Sequence, residues 1–366
     1  MSMLMRQEYA IAADDEGRPA QGWAVADDAA LAALVDAAAP LHAFLRPAWY
    51  RAAASDVTFH VYERDGEPVA AFPIAPRRMG PLTINEVAGA YWPFRSVPIR
   101  EDAGDAILLA MLSGSDARAA LGKAWRVGPI QGNDPSIERL LPLAAPAGWA
   151  VFKRTISHSY DIDVAALRAK KAWPSKSAIR QSRNYANRLG RIGEVSYRKV
   201  TGADWTADDR DALARIEAES WLAEISDGAD TKFLDPERRR MWEDAARDPV
   251  LAPLMFAHIM YLDEAPIAFT FGLEVGDTRY QIANNFSEKY KEYSPGRIIL
   301  TFDFADAAER GVPVIDWGAG DGGYKARYGA KAGPEICDLL FVDDGILARM
   351  ARPLLKRQGW ELISDR

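Results

Sequence analysis

Val57-Thr-Phe-His-Val-Tyr-Glu-Arg-Asp-Gly-Glu-Pro-Val-Ala-Ala-Phe-Pro-Ile74 and Met255-Phe-Ala-His-Ile-Met-Tyr-Leu-Asp-Glu-Ala-Pro-Ile-Ala-Phe-Thr-Phe-Gly272 are two renderings of one pattern. At a fixed offset of 198 residues, His60 aligns with His258, Asp65 with Asp263, Pro68 with Pro266 and Ala70 with Ala268. Each copy is a pair of apolar-alternating runs joined by a short polar turn, which predicts a β-hairpin. Upstream, Phe44-Leu-Arg-Pro47 and Phe233-Leu-Asp-Pro236 correspond at an offset of 189, so the second copy carries a nine-residue insertion. A repeat on this scale predicts two related α/β domains in tandem. The expected divisions are an N-terminal domain over 1–150, a basic connecting segment over 151–200 and a C-terminal domain over 201–366. The two histidines sit in mid-strand and are expected to be packed and hydrogen-bonded rather than bases or ligands.

Composition supports this division. At 366 residues the chain is long for one domain, and 49% apolar residues with 11 Trp, 13 Tyr and 13 Phe supply real cores. The single cysteine, Cys337, excludes a disulfide framework and a multi-cysteine zinc site, and the four histidines are scattered. The N-terminus has no basic region leading into an apolar stretch, so no secretory signal is expected. The most apolar run, Ala29 to Leu45, is broken by Asp36, Pro40 and His42, so no membrane-spanning helix is expected. A cytoplasmic protein follows as the expectation.

The net charge of −7 argues against DNA as a partner, yet it is unevenly spread. Residues 151–200 hold twelve basic side chains against Asp161, Asp163 and Glu194, so this segment is +9 and the remainder −16. Its centre, Pro174-Ser-Lys-Ser-Ala-Ile-Arg-Gln-Ser-Arg-Asn-Tyr-Ala-Asn-Arg-Leu-Gly190, predicts a helix started by Pro174 or Ser175 and stopped by Gly190. Lys176, Arg180, Arg183, Asn187 and Arg191 recur at three- and four-residue steps and share one face. That face is either simply solvated or turned toward a phosphorylated ligand.

After the second hairpin come a strand, Thr278-Arg-Tyr-Gln-Ile-Ala-Asn-Asn-Phe286, and a turn, Tyr293-Ser-Pro-Gly296, opening a helix that ends near Gly311. A short strand, Val312-Pro-Val-Ile-Asp-Trp317, leads into Gly318-Ala-Gly-Asp-Gly-Gly-Tyr-Lys325, and Ile336-Cys-Asp-Leu-Leu-Phe-Val342 is the last strand. The loop fits G-x-G-x-x-G literally, but a dinucleotide or methyl-donor fold needs a long series of β–α units after it. Only 43 residues remain, and Gly329, Gly333 and Pro334 interrupt the required helix.

Glu219-Ser-Trp221, Leu262-Asp-Glu-Ala-Pro-Ile-Ala268, Tyr293-Ser-Pro-Gly296, Asp316-Trp-Gly-Ala-Gly320 and Tyr324-Lys325, in this order, resemble the GNAT-like acetyltransferases of the CelD (cellulose and exopolysaccharide biosynthesis) type, relatives of the Fem-type aminoacyltransferases. The resemblance covers roughly residues 150–330. It departs from the family pattern at Leu222, where a basic residue often follows the tryptophan. It implies an α/β (α+β) chain of tandem GNAT-like domains, each a mixed, mostly antiparallel sheet flanked by helices. It also implies an acyltransferase that takes acetyl-CoA or another acyl-CoA, without a metal. In that reading Ser294, Gly296 and Arg297 hold the pyrophosphate of coenzyme A at a helix start. Asp316, Asp321, Tyr324 and Lys325 form the catalytic loop, where a carboxylate takes the amine proton, a lysine stabilises negative charge and a tyrosine protonates the leaving group. Lys176, Arg180, Arg183, Glu219, Trp221 and Tyr293 are the expected acceptor-side residues.

The acceptor implied is an amine on an amino sugar of an exopolysaccharide or cell-envelope precursor, free or linked to a nucleotide or lipid. One alternative is a Fem-type transferase using aminoacyl-tRNA on a peptidoglycan precursor; another is a catalytically silent glycan- or nucleotide-binding member. The tail from Gly345 to Trp360 is an amphipathic basic helix, expected to pack on its domain or to touch an anionic membrane surface at its inner face.

Overall fold

Both copies of the repeat form hairpins of matching construction in the computed structural model, which describes residues 21–79, 82–170, 173, 175–226, 230–320 and 323–364. Asp65 and Asp263, 198 apart, occupy the same left-handed turn position, with φ of 55° and 54°. The register slips at the same place in each, between Tyr62 and Glu63 and between Met260 and Tyr261. A shared bulge and a shared turn conformation are stronger marks of one structural unit used twice than the residue matches alone.

The chain divides into two compact units, Met1–Ser157 with Pro334–Arg366, and His158–Gly333. The first contains β1 (Gln21–Val25), β2 (Thr58–Arg64), β3 (Glu67–Met79), β4 (Leu82–Val87), β5 (Ala124–Gln131) and the first part of β6 (Trp149–Asp163). Its helices are α1 (Asp28–Asp36), α2 (Pro47–Ala53), α3 (Asp105–Leu112), α4 (Gly114–Leu121) and α5 (Pro135–Ala144). The second unit contains α6 (Val164–Ala169), α7 (Lys176–Leu189), β7 (Val195–Thr201), α8 (Ala207–Ala218), α9 (Trp221–Ser226) and α10 (Pro236–Ala245), then β8 (Met255–Leu262), β9 (Ala265–Val275), β10 (Thr278–Phe286), α11 (Pro295–Glu309) and β11 (Val314–Ala319). The chain ends with β12 (Lys331–Asp343), α12 (Ile346–Arg357) and β13 (Glu361–Ser364), which complete the first unit apart from the opening residues of β12.

In the first unit the strand order is β1-β2-β3-β4-β5-β12-β6, with β13 on β6; in the second it is β6-β11-β10-β9-β8-β7. Each order has one parallel pair among its recorded registers, β4 with β5 and β10 with β11, and the other recorded registers are antiparallel. Strand β12, expected at Ile336–Val342, begins five residues earlier. Strand β11 begins at Val314 because Pro313 has no N–H to give the ladder.

The first core gathers Phe72, Trp125, Trp149 and Phe341 under α3, α4 and α5, with Trp125 and Phe341 stacked at 4.0 Å. In the second unit, Ile162, Ile315 and Trp317 of β6 and β11 pack on Leu300, Phe304 and Ala307 of α11. His258 is fully buried, with Nδ1 3.0 Å from Asp303 Oδ1, a packed core histidine as expected. Burial holds His60 below its ordinary pKa, which favours the neutral ring.

Candidate active site

Strands β10 and β11 run side by side only from Thr278–Tyr280 against Val314–Asp316. Beyond that point β10 bulges between Gln281 and Ala283 and continues along β9 instead. The parting of two parallel strands opens a slot in the sheet, and α11 begins beside it. Ser294 precedes α11 in the left-handed conformation (φ 52°), Pro295 takes the first helical position, and no side chain caps this end. Gly296 is needed for closeness: a Cβ there would lie 2.7 Å from Phe286 Cδ1. The amide Nδ2 of Asn284, next to this turn, is shielded from solvent and has no acceptor among the described residues. A solvent-shielded donor, a close-approach glycine and an uncapped helix start together fit an acyl-CoA, whose amide carbonyls and pyrophosphate need such groups.

Helix α7 flanks this start. Ser175 caps it, its Oγ accepting from Ala178 N at 3.2 Å, and Gly190 ends it, as the sequence predicts; Pro174, the other expected start, lies outside the described residues. The guanidiniums of Arg188 and Arg297 lie 5.9 and 5.8 Å from the ring centroid of Tyr185, and Arg188 also lies 5.6 Å from that of Tyr293. Two cations thus sit at the start of α11. Arg188 was outside the face singled out from the sequence; its signal was its position three residues after Tyr185. Lys176, Arg180 and Arg183 lie exposed on α7.

The second cluster sits at the end of β11. Because Ile315 and Trp317 face α11, alternation turns Asp316 to the opposite side, where it is directly paired in register with Asp161 of β6. Asp316 is buried and accepts from Gly318 N at 2.7 Å. Asp161 accepts from Ser159 Oγ at 3.0 Å, and burial raises its pKa against the opposing pull of Ser159 and Lys325. Gly333 passes so close that a Cβ would meet the Asp161 carboxylate at 2.3 Å. Asp161 is the residue that sequence reasoning missed: in Ser-Tyr-Asp-Ile-Asp it reads as one polar position of an alternating strand, and nothing local reveals that Asp316 is its neighbour.

Lys325 is buried and spends its ammonium on the chain itself, donating to the carbonyls of Trp317 (2.7 Å), Gly318 (2.9 Å) and Ala319 (3.2 Å). Its placement is that of a clamp on the strand end. Tyr324 is 44% exposed and packs edge-on against Trp317. Asp321 lies outside the described residues. Glu219, at the end of α8, accepts from Ser287 Oγ (2.6 Å) and Lys289 Nζ (2.5 Å), so it ties α8 to the link between β10 and α11. Burial alone would raise its pKa, and these two donors bring it below the ordinary value. Trp221, 46% exposed, opens α9. Among the described residues no three His, Cys, Asp or Glu side chains are grouped to hold a metal ion.

The corresponding place in the first unit is built differently. After β4 the chain runs back along β3, with Ala71 N bonded to Pro98 O (3.0 Å) and Arg100 N to Val69 O (2.9 Å), and the next α-helix starts only at Asp105. Glu86 of β4 and Arg126 of β5 form a buried ion pair, and Arg126 also bonds Asp338 at 2.5 Å. Arg95 joins Glu86, and burial pushes its guanidinium down to about 10.

The fold is that of two GNAT-like units, and the family match over part of the second unit is what identifies an acyltransferase. Residues 176–326 match the family described as the acetyltransferase (GNAT) domain, which places a GNAT-like acetyltransferase domain on the second unit. Among solved structures, FemX aligns with a TM-score of 0.58 at 11% identity, covering 92% of this chain and 99% of its own. The C-terminal domain of a putative lysylphosphatidylglycerol synthetase from Agrobacterium fabrum aligns at 0.51 and 17% identity, covering 90% and 94%. A conserved protein of unknown function from Bacteroides thetaiotaomicron aligns at 0.53 and 14%, covering 87% and 99%. These likenesses concern the fold. No curated protein matches the sequence. No helix among the described residues is long and apolar enough to cross a membrane.

Proposed function

We propose that the protein is an N-acyltransferase of the CelD type that moves an acyl group, most simply acetyl, from acyl-CoA to the amine of an amino sugar in an exopolysaccharide or cell-envelope precursor. The observation that carries this reading is the slot between β10 and β11, with an uncapped helix start and two arginines on one side and paired carboxylates on the other. Gly296, Asn284, Arg297 and Arg188 hold the donor; acyl-CoA supplies the thioester-activated acyl group. The raised pKa of Asp161 makes it a stronger base than an ordinary aspartate, as suits a group that takes a proton from an ammonium. Asp316, tied to Gly318 N, positions the amine and shares that proton. Trp221 and Tyr324 offer exposed aromatic faces to a sugar ring. Lys325 acts by holding the end of β11, the strand that carries Asp316.

The exposed basic face of α7 supports a second reading, in which the donor is an aminoacyl-tRNA and the acceptor a peptidoglycan precursor. Calorimetry with acetyl-CoA, followed by thiol release over a panel of amino sugars and their nucleotide- or lipid-linked forms, separates the two. Binding of acetyl-CoA is expected, with Arg297→Ala weakening it about tenfold or more. Asp316→Asn is expected to lower turnover at least about tenfold while leaving that binding unchanged. No binding at millimolar acetyl-CoA, with aminoacyl-tRNA bound instead, moves the assignment to the second reading.

A further inference from the structure

Helix α12 is amphipathic in three directions rather than two. Its inner face, Ala348, Ala351 and Leu355, packs on Phe152, Leu340 and Val342 of the first unit. Its outer face carries Ile346, Met350 and Leu354 at four-residue steps, exposed to 78%, 72% and 59%, with Leu347 beside them at 41%. Its flank carries Arg349, Arg352 and Lys356, all exposed, at the three- and four-residue steps that keep them on one side, and Arg357 follows at the end. None of these four cations forms a salt bridge with a described residue. Isolated exposed apolar residues are ordinary, but a line of them along a whole helix beside unpaired cations is not.

Next to this outer face lies a cavity of about 520 Å³, lined mainly by apolar groups, among them Ile84, Ala124, Leu340, Val342, Leu347 and Leu354. Lys123 also lines it; Arg77, the strand partner of Ile84, is ion-paired with Glu86. The cavity thus has a mainly apolar lining with one cation, Lys123, in it.

We propose that α12 lies in the headgroup region of an anionic phospholipid leaflet, its outer face among the acyl chains, its basic flank on the phosphates, and one chain end seated in the cavity. Three features favour lipid over a protein partner. The apolar line runs the length of one helix, the charged residues of that helix are all basic, and the neighbouring cavity is lined mainly by apolar groups with Lys123 among them. The inference is independent of the reaction proposed for the second unit.

The test uses the full chain and sedimentation with vesicles of phosphatidylcholine alone or of phosphatidylcholine mixed equally with phosphatidylglycerol. Binding is expected only with the anionic vesicles, and is expected to weaken as salt rises. The double variant Ile346→Glu/Met350→Glu is expected to lose at least tenfold in partition, and Arg349→Gln/Arg352→Gln/Lys356→Gln to lose the preference for the anionic vesicles. All five positions are solvent-facing, so unchanged melting temperatures and unchanged acetyl-CoA binding show that the fold survives. Failure of the wild-type chain to bind anionic vesicles overturns the proposal, as does equal binding by the Ile346→Glu/Met350→Glu variant. A wild-type dimer that becomes monomeric in that variant, with no vesicle binding, also overturns it and assigns the face to a second copy of the chain.

Discussion

Asp161 shows how much of this site depends on neighbours rather than on residue type. Its carboxyl is held above the ordinary range by burial, so the protonated form is favoured in the fold more than in the unfolded chain. That contribution is fully present below the unfolded pKa of about 3.9 and is lost as pH rises through the higher folded value. Asp161→Asn, which cannot ionise, is therefore expected to gain stability relative to wild type as pH goes from 4 to 7, while turnover falls. Denaturant unfolding at the two pH values checks the first part; an equal effect of the substitution at both removes burial as the cause. Cys337 is the opposite case, a residue type that invites a role but is a free thiol buried in the core. Burial pushes its thiol up to about 11, so it is expected to resist iodoacetamide in the native protein and to react fully in guanidinium.

At the scale of elements, the end of β11 is kept in shape by Lys325. Lys325→Ala removes three hydrogen bonds to carbonyls that are then left without this donor, and is expected to cost about 2–4 kcal/mol in denaturant unfolding. If stability is unchanged and turnover alone collapses, the ammonium acts on substrate instead. Glu217 plays a similar part for α8, accepting from the backbone N–H of Lys232, Phe233 and Leu234 so that one carboxylate ties a turn to a helix. Burial raises its pKa while those three donors pull the other way. In β-hairpins the element is decided locally, and the sequence shows it: the alternation, the Asp at the turn and the Pro three residues later all survive in both copies. The boundaries of α7 were legible for the same reason, since Ser175 and Gly190 act on their own turns.

For the whole molecule, duplication of the fold does not carry duplication of the site. The second unit parts β10 from β11 and starts a helix there, whereas the first lays residues 97–100 back along β3 and joins β4 to β5 through Glu86 and Arg126. Calorimetry is accordingly expected to give one acetyl-CoA per chain. Glu86→Gln is expected to lower stability by about 3 kcal/mol, because it weakens a buried pair, with no change in acetyl-CoA affinity. Two binding events per chain, or weakened binding in that variant, contradicts the assignment of the donor site to the second unit. The sequence by itself determined the repeat, the hairpins, the basic helix and the helix start at Ser294–Arg297, because each is written in residues within one or two turns of one another. Only the tertiary structure decided that Asp161 faces Asp316, that Lys325 is turned back onto its own strand, and that residues 334–366 complete the first unit. The first and third rest on strand neighbours more than 150 residues apart in the chain, which no local pattern of side chains encodes; the second spans only six to eight residues but depends on the burial of the ammonium, which the residue type does not reveal.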